Sequence, residues 1–378
     1  MGTRLAGLIG WSNGLLKGWK HMRVTVRRAA LVAAAVAAVA GCAPTAMAAQ
    51  VSAAPSWHIV KRVASGSNAV VTAVTAVGRN GGWAFDGFSK ATAWERNGSA
   101  WTQVPFPSQN SEMVAAAAAT SATDVWAFTQ EFGISRALRW NGQQWTVMRS
   151  FSRSIGGAAV LSSTDVWVFG DENFPGAGLG AWHYNGRIWT QVASGHSLEG
   201  GSGRSASDIW AFNGADVAHW NGSTWSRTSV ASLLPAKQQL NDPALTGIYE
   251  QSRHSVYAIG NGQAQDEGGP LVILHWNGSA WSKVAGGNFG FGTFQQFSPD
   301  GHGGLWLPMP GVDGQKSYLL HYSGGKLTQA VLPGGPNQIT VGTVALIPGT
   351  TELLAGGDTH ASGNPGTGVV GVVLEYEV

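Results

Sequence analysis

Carboxylates supply the first chemical pattern in this chain of 378 residues. Asp86, Glu131, Asp171, Glu172, Asp216, Asp266, Glu267, Asp313 and Asp358 each follow a short aromatic or apolar run, and these nine are a large share of the 21 acids. Gathered at one mouth, such groups would hold a divalent cation such as calcium through oxygen ligands, or attract a cationic partner. The competing reading is that Asp simply favours turns. None of the segments has the regular Asp-x-Asp-x-Asp spacing of a calcium loop, so no cofactor and no metal site is predicted. Two stretches bring groups close enough for acid–base work. Gly170-Asp171-Glu172-Asn173-Phe174-Pro175 offers paired carboxylates, which divide into acid and base when their environments differ. Gly356-Gly357-Asp358-Thr359-His360 places an Asp beside a His, a pair able to support base catalysis. Phe132 and Phe174, with Phe88, Phe151, Phe289 and Phe291, lie outside the recurring strand pattern. They would form an apolar recognition rim or fold back onto the scaffold.

The elements that carry these residues announce themselves through tryptophan. Sixteen of the 18 tryptophans belong to one repeating phrase; only Trp11 and Trp19 stand outside it. The phrase reads Asp124-Val125-Trp126-Ala127-Phe128 followed by Trp140-Asn141-Gly142-Gln143-Gln144-Trp145, then Asp165 to Phe169 with Tyr184 to Trp189, then Asp208 to Phe212 with Trp220 to Trp225. Aligning the first aromatic gives Trp83, Trp126, Trp167, Trp210, Tyr257 and Trp306, with Leu353 as a degenerate seventh, at steps of 41 to 49 residues. A fixed period of that length built from short strands predicts an all-β, seven-bladed β-propeller of four-stranded blades. The Ala-rich Met113 to Thr120 suits an innermost strand at the crowded axis, because Ala is otherwise a poor strand former. Asn-Gly at 97–98, 141–142, 185–186, 221–222 and 277–278 predicts tight type I′ hairpins between the third and fourth strands.

The seventh repeat stops at Leu374-Glu375-Tyr376-Glu377-Val378, where its hairpin turn is due. Ser56-Trp57-His58-Ile59-Val60 matches the missing outer strand, so the N-terminal strand is predicted to complete the last blade and leave no open edge. In a four-stranded meander, one face carries the A–B and C–D turns and the other the B–C and D–A loops. The first face has little material. The acids and phenylalanines above belong to the second.

The repeat also assigns structural roles. Asp124, Asp165 and Asp208 precede the buried aromatic and are expected to hold the A–B turn through backbone hydrogen bonds. His183, His219, His275 and His321 recur before the third-strand aromatic and are read as packing residues. All sixteen repeat tryptophans are read as blade-to-blade packing. The long D–A segment from Arg227 to Ala244, with Leu233, Leu234 and Leu240, is expected to form a short helix beside the mouth.

The phrase Asp-Val-Trp-Ala-Phe…Trp-Asn-Gly-x-x-Trp resembles the repeats of secreted bacterial seven-bladed β-propellers, and more distantly kelch/galactose-oxidase-like and Asp-box (sialidase-like) propellers. The resemblance spans residues 56–378 and implies a ligand-binding or enzymatic ring. The departures are specific. Trp220-Asn221-Gly222-Ser223-Thr224-Trp225 lacks the Ser/Asp spacing of an Asp-box, the body lacks the Cys that a galactose-oxidase-like copper site crosslinks to Tyr, and no motif marks Arg136, Arg149 and Arg153 as a sialidase-like triad.

Composition narrows the partner. The chain carries 23 Lys and Arg against 21 Asp and Glu; setting aside Arg4, Lys17, Lys20, Arg23, Arg27 and Arg28 leaves 17 positive against 21 negative. A net of about −4 argues against nucleic acid, which needs a positive field. Residues 1–48 read as a leader: Arg23 to Arg28 is a charged n-region and Leu31 to Gly41 a short apolar run. Val39-Ala40-Gly41-Cys42 resembles a lipobox, with lipidation at Cys42; Ala46-Met47-Ala48 is the competing cleavage site for free secretion. Residues 49–55 form a linker and 56–378 a single domain. Together these features predict an extracytoplasmic, monomeric binding propeller that recognises a protein, peptide or glycan through its B–C/D–A face. The alternative is a secreted carbohydrate-active hydrolase or lyase, with Asp171, Glu172, Asp358 and His360 as candidate catalytic groups.

Overall fold

Seven separate four-stranded antiparallel sheets make up the structure, a computed structural model describing residues 55–63, 69–87, 90–131, 134–170, 178–195, 197–236, 243–261, 270–289, 296–309, 317–334, 338–359 and 369–377. Six sheets run consecutively in sequence, and we number them blades 1 to 6, with strands A (innermost) to D (outermost). Blade 2, for example, comprises Met113–Ser121, Asp124–Glu131, Ile134–Trp140 and Trp145–Phe151. Blade 7 takes strands A to C from Ile339–Leu346, Leu353–Thr359 and Val370–Glu377, and its D strand is Ser56–Val63. Trp57 pairs with Tyr376 and Ser56 with Glu377, the closure that the truncated seventh repeat predicts.

Burial follows strand position. Val125, Trp126, Ala127 and Phe128 in strand B of blade 2 are all at most 1% exposed, because the neighbouring blades cover both faces of the sheet. Strand D faces solvent: in Trp225–Ser229 only Trp225 is half-buried and the rest is exposed. Strand A carries small side chains where blades converge most closely. A Cβ added at Gly201 would lie 2.5 Å from the Phe169 ring of the preceding blade.

The tryptophans hold most blades together by one rule: the strand-B aromatic packs against the C–D aromatics of the next blade. Trp83 meets Trp140 and Trp145 at 5.0 and 5.1 Å, and Trp126 meets Tyr184 and Trp189 at 5.6 and 6.1 Å. Trp210 meets Trp276 and Trp281, both at 5.8 Å, and Trp306 meets Trp57 and Tyr376 at 5.5 and 5.3 Å. Several pairs are edge-to-face, the orientation the ring quadrupole prefers. The buried indole N–H groups of Trp57, Trp126, Trp140, Trp145, Trp189, Trp210 and Trp225 find no hydrogen-bond acceptor among the described residues.

The hairpins differ from the sequence expectation. Asn141 does not adopt positive φ; among non-glycine residues described only Ser111 does. Trp140 pairs with Trp145 across a four-residue loop, and Asn141 Oδ1 accepts from the backbone N–H of Gln143 and Gln144 at 2.9 Å each. Asn185, Asn221 and Asn277 repeat this arrangement. A short amide side chain that satisfies two turn N–H groups replaces the type I′ geometry, and glycine alone takes the left-handed position.

Candidate functional site

The ring encloses an axial channel with a cavity of about 490 Å³, whose wall draws on strand A or its approach in all seven blades. Blades 2 to 4 contribute mainly Ala115–Ala117, Gly156–Ala159 and Gly201–Gly203; blades 5 and 6 contribute Thr246, Tyr249, Gln296 and Phe297. Among the described residues no charged side chain lies in this wall. The polar lining consists of Gln130, Ser202, Thr246, Tyr249 and Gln296 with exposed main chain. Strand A ends every sheet, so its inner backbone edge is unpaired within the blade. Where side chains are Gly or Ala, those N–H and C=O groups are open to an occupant. Most of the wall comes from the first halves of the A strands and from Gln130 near the end of a B strand. The cavity therefore lies toward the face with the D–A and B–C loops.

The acids that sequence placed in the B–C loops sit as follows. Asp86 ends a B strand, is 2% exposed, and accepts a hydrogen bond from Trp94 Nε1 at 3.3 Å. Glu131 also ends a B strand. Asp216 opens a C strand and forms an ion pair with Arg227 of the adjoining D strand. Asp358 lies inside a B strand, 8% exposed, with backbone register to Thr340 and Gly371. None of these four lines the channel. Asp171, Glu172, Asp266, Glu267, Asp313, His360, Phe132, Phe174 and Cys42 lie outside the described residues, as do Phe88 and Phe291. Among the described residues no cluster of three or more His, Cys, Asp or Glu could hold a metal ion. Phe151 is buried against Trp182 and Trp189, and Phe289 packs on Tyr318, so these two phenylalanines fold back onto the blades. In the long D–A segment, Ala231–Leu233 forms one 3-10 turn, and Leu233 and Leu234 join the core between blades 4 and 5.

The A–B face carries most of the organised polar chemistry, and its pairings run between strands. Asp165, Asp208 and Asp300 accept hydrogen bonds from the ring Nε2 of His183, His219 and His321 at 2.8, 2.7 and 2.8 Å. Each histidine also stacks on the strand-B aromatic, at 4.5 Å on Trp167, 4.3 Å on Trp210 and 4.2 Å on Trp306. His275 instead contacts Ser255 Oγ, and burial lowers its pKa. Asp124 takes Arg139 Nε at 2.6 Å, and Arg139 lies over Trp126. The carboxylates thus tie the A–B turn or the start of strand B to strand C; Asp124 also accepts from Thr120 Oγ1 across its turn, and Asp300 serves its turn through the N–H groups of His302 and Gly304. For Asp300, burial pushes the pKa up, but His321 and the two N–H donors outweigh it and hold the carboxyl below its ordinary value.

The junction between blades 7 and 1 departs from the aromatic rule. Leu354, not Leu353, pairs with Glu375 as Trp167 pairs with His183, so Leu354 stands at the tryptophan position. Arg96, which pairs with Trp101, stands where other blades carry Trp or Tyr. Arg96 Nη1 and Nη2 donate to Glu375 Oε1 and Oε2 at 2.9 Å each, with both side chains under a tenth exposed. A second buried pair, Arg136 with Glu112, receives Thr129 Oγ1 as well and ties the blade 1–2 connection to blade 2. For Glu112, burial raises the pKa, but Arg136, Thr129 and the Gln109 N–H reverse the balance and lower it. Arg149 stacks over Trp182 at 4.2 Å, so Arg136 and Arg149 serve the scaffold.

No protein-family model and no curated protein matches the chain. Solved structures share its architecture. A structure described as YCF48 bound to D1 peptide is 14% identical with a TM-score of 0.54, over 85% of this chain and 97% of that one. The extracellular domain of a putative hybrid two-component system from B. thetaiotaomicron gives 12% and 0.57, over 84% of this chain and 39% of that one. A GH74 xyloglucanase from Xanthomonas campestris gives 14% and 0.53, over 83% and 55%. At these identities the likeness establishes the seven-bladed fold and nothing finer.

Proposed function

We propose that this ring is an extracytoplasmic, non-catalytic binding module that captures an extended protein or peptide segment at the channel mouth on its B–C/D–A face. The observation that carries the reading is the channel wall itself. Among the described residues it carries no charge, presents Gln130, Ser202, Thr246, Tyr249 and Gln296 as its polar groups, and along blades 2 to 4 is rich in Ala and Gly. Unpaired strand edges with small side chains recognise main-chain amides, the mode by which extended peptides add to sheets. A glycan has no matching ladder of amide groups, which favours peptide. That YCF48 is described as bound to a peptide is consistent with this use of the fold. The leader, with Cys42 as lipidation site, supports a location outside the cytoplasmic membrane, and the outward face would then be the loop face.

The test is capture of peptides from a display library by the wild-type ring and by Ala158→Arg, which puts bulk and charge into the channel wall. Expected is saturable binding of uncharged extended sequences, lost in the variant and weakened when an amide N–H of the peptide is replaced by an ester oxygen. Binding that survives both changes would refute the channel. Hydrolysis of a glycan by the purified ring, abolished by Asp358→Ala, would favour the enzymatic alternative.

A further inference from the structure

One residue breaks the repeat on the innermost strands. Opposite the residue preceding the strand-B aromatic, six blades place Ala76, Ala119, Val160, Gly203, Pro299 and Leu346. Blade 5 places Glu250 there, opposite Val256. Glu250 is 4% exposed, whereas among its six counterparts, none of which has a polar side chain, only Ala76 is buried and the others are half-exposed. Its carboxyl oxygens meet no N–H or hydroxyl donor among the described residues; the group they meet is the carboxylate of Asp208, at the start of strand B in blade 4. Asp208 Oδ1 is in turn held at 2.7 Å by His219 Nε2, and His219 is stacked on Trp210. Two carboxylates in hydrogen-bonding contact cannot both be ionised without strong repulsion.

We propose that Glu250 and Asp208 share one proton, and that this carboxyl–carboxylate bond is a pH-sensitive clasp between blades 4 and 5. With Glu250 protonated, its O–H donates to Asp208, and the chain Glu250–Asp208–His219 is satisfied throughout. The clasp does not stand alone at this seam. The Glu250 N–H donates to Ser202 Oγ of blade 4 at 3.0 Å, and Arg204 Nη1 donates to the Gln251 carbonyl at 3.1 Å. Ser202 and Tyr249 line the channel, so the clasp sits directly behind the wall between these two blades. The other charges facing Glu250 are Arg204 from blade 4 and Arg253 from its own blade. Tyr249, the next residue, also feels Arg204 and Asp300 of blade 6. The two arginines favour ionisation of Glu250 but do not prevail: burial first, and Asp208 second, push its pKa up to about 8.

The direction of the pH effect follows. An acid whose folded-state pKa is raised contributes most below its ordinary value of 4.5, and the contribution is lost as pH rises toward about 8. The clasp holds in mildly acidic and neutral surroundings and releases in alkaline ones, whatever the channel binds.

The experiment is a pair of measurements on the intact ring. Difference infrared spectroscopy at neutral pH should show the carbonyl stretch of a protonated carboxylic acid, absent from Glu250→Gln and titrating away in alkali in the wild type. Melting temperature should fall by several degrees between about pH 6 and about pH 9 in the wild type. In Glu250→Gln, whose amide N–H mimics the protonated acid, the same change should produce little fall. If Glu250→Gln does not fold, Asp208→Asn serves instead: burial remains but the neighbouring charge is gone, so the protonated-acid band should titrate away at lower pH than in the wild type, and an unchanged titration would count against the shared proton. Parallel melting profiles for wild type and Glu250→Gln, or a neutral-pH spectrum with no protonated-acid band assignable to Glu250, would overturn the proposal.

Discussion

Glu375→Ala should weaken the closure of the ring more than any single tryptophan-to-phenylalanine change. The substitution leaves the Arg96 guanidinium, 9% exposed, without the carboxylate that now accepts two of its hydrogen bonds. Removing one member of a buried pair costs about 3–5 kcal/mol, because the survivor keeps its desolvation penalty. At roughly 2.1 cal/mol/K of unfolding entropy per residue, a ring of this size loses about 1.5 °C per kcal/mol, so the melting temperature should drop by about 5–8 °C. Calorimetry measures the drop. Limited proteolysis should also show faster release of the segment preceding blade 1, since strand D of blade 7 depends on this seam. The other junctions supply a second arm. Arg96→Trp with Glu375→His and Leu354→Trp installs the residues that blade pairs 3–4 and 4–5 use at the equivalent sites. Well-packed groups can replace a buried ion pair at little net cost, so the triple variant should recover most of the loss. If Glu375→Ala shifts the midpoint by less than about 1 °C, or if Arg96→Leu and Glu375→Leu losses simply add, the latch is not a coupled pair and the reasoning fails.

Three further outcomes are expected. Asp300→Asn should remove about 1.5–3 kcal/mol at neutral pH, the scale of hydrogen bonds to a charged group. Because the Asp300 pKa is lowered on folding, that stability is present above its ordinary 3.8 and lost as pH falls below it, so the variant's acid unfolding curve should be flatter in urea titrations. Gly142→Ala and Gly98→Ala both place a side chain at positive φ, worth about 1–2 kcal/mol, but only the first would meet a neighbour, Thr123 Cγ2 at 2.8 Å. Gly142→Ala should therefore be the more damaging by chemical denaturation, and equal losses would show that strain alone decides. Cys42→Ser should move the protein from the membrane to the soluble fraction on cell fractionation; unchanged distribution would remove lipidation from the proposal.

Much of the architecture was legible in the residue order, because it is written in types that cannot easily do anything else. A tryptophan two residues before a phenylalanine recurs in register, so the period is visible without coordinates. The truncated copy at Glu377 and its complement at Trp57 give the closure because strand D of most blades begins with an aromatic that fills the gap beside the previous blade. Local chemistry was less well read. Asn-Gly suggests a two-residue turn, yet Asn141 has a side chain able to bind two N–H groups, and that option won. The aspartates before the buried aromatic looked like turn residues, but antiparallel register brings His183 and His219 across the sheet to them.

What sequence alone determined here is the repeat, its number and its closure, since each depends on contacts within a blade or with the next one in the chain. What only the tertiary structure decided are the places where the repeat is broken and the ring meets itself. Arg96 and Glu375 are 279 residues apart, and nothing in either neighbourhood names the other. Glu250 reads as an ordinary acid at a strand end until the ring presses it against Asp208. The channel wall is built largely of alanine and glycine, which carry no chemical signature; their significance comes from convergence on one axis, where small side chains leave the backbone of the innermost strands open.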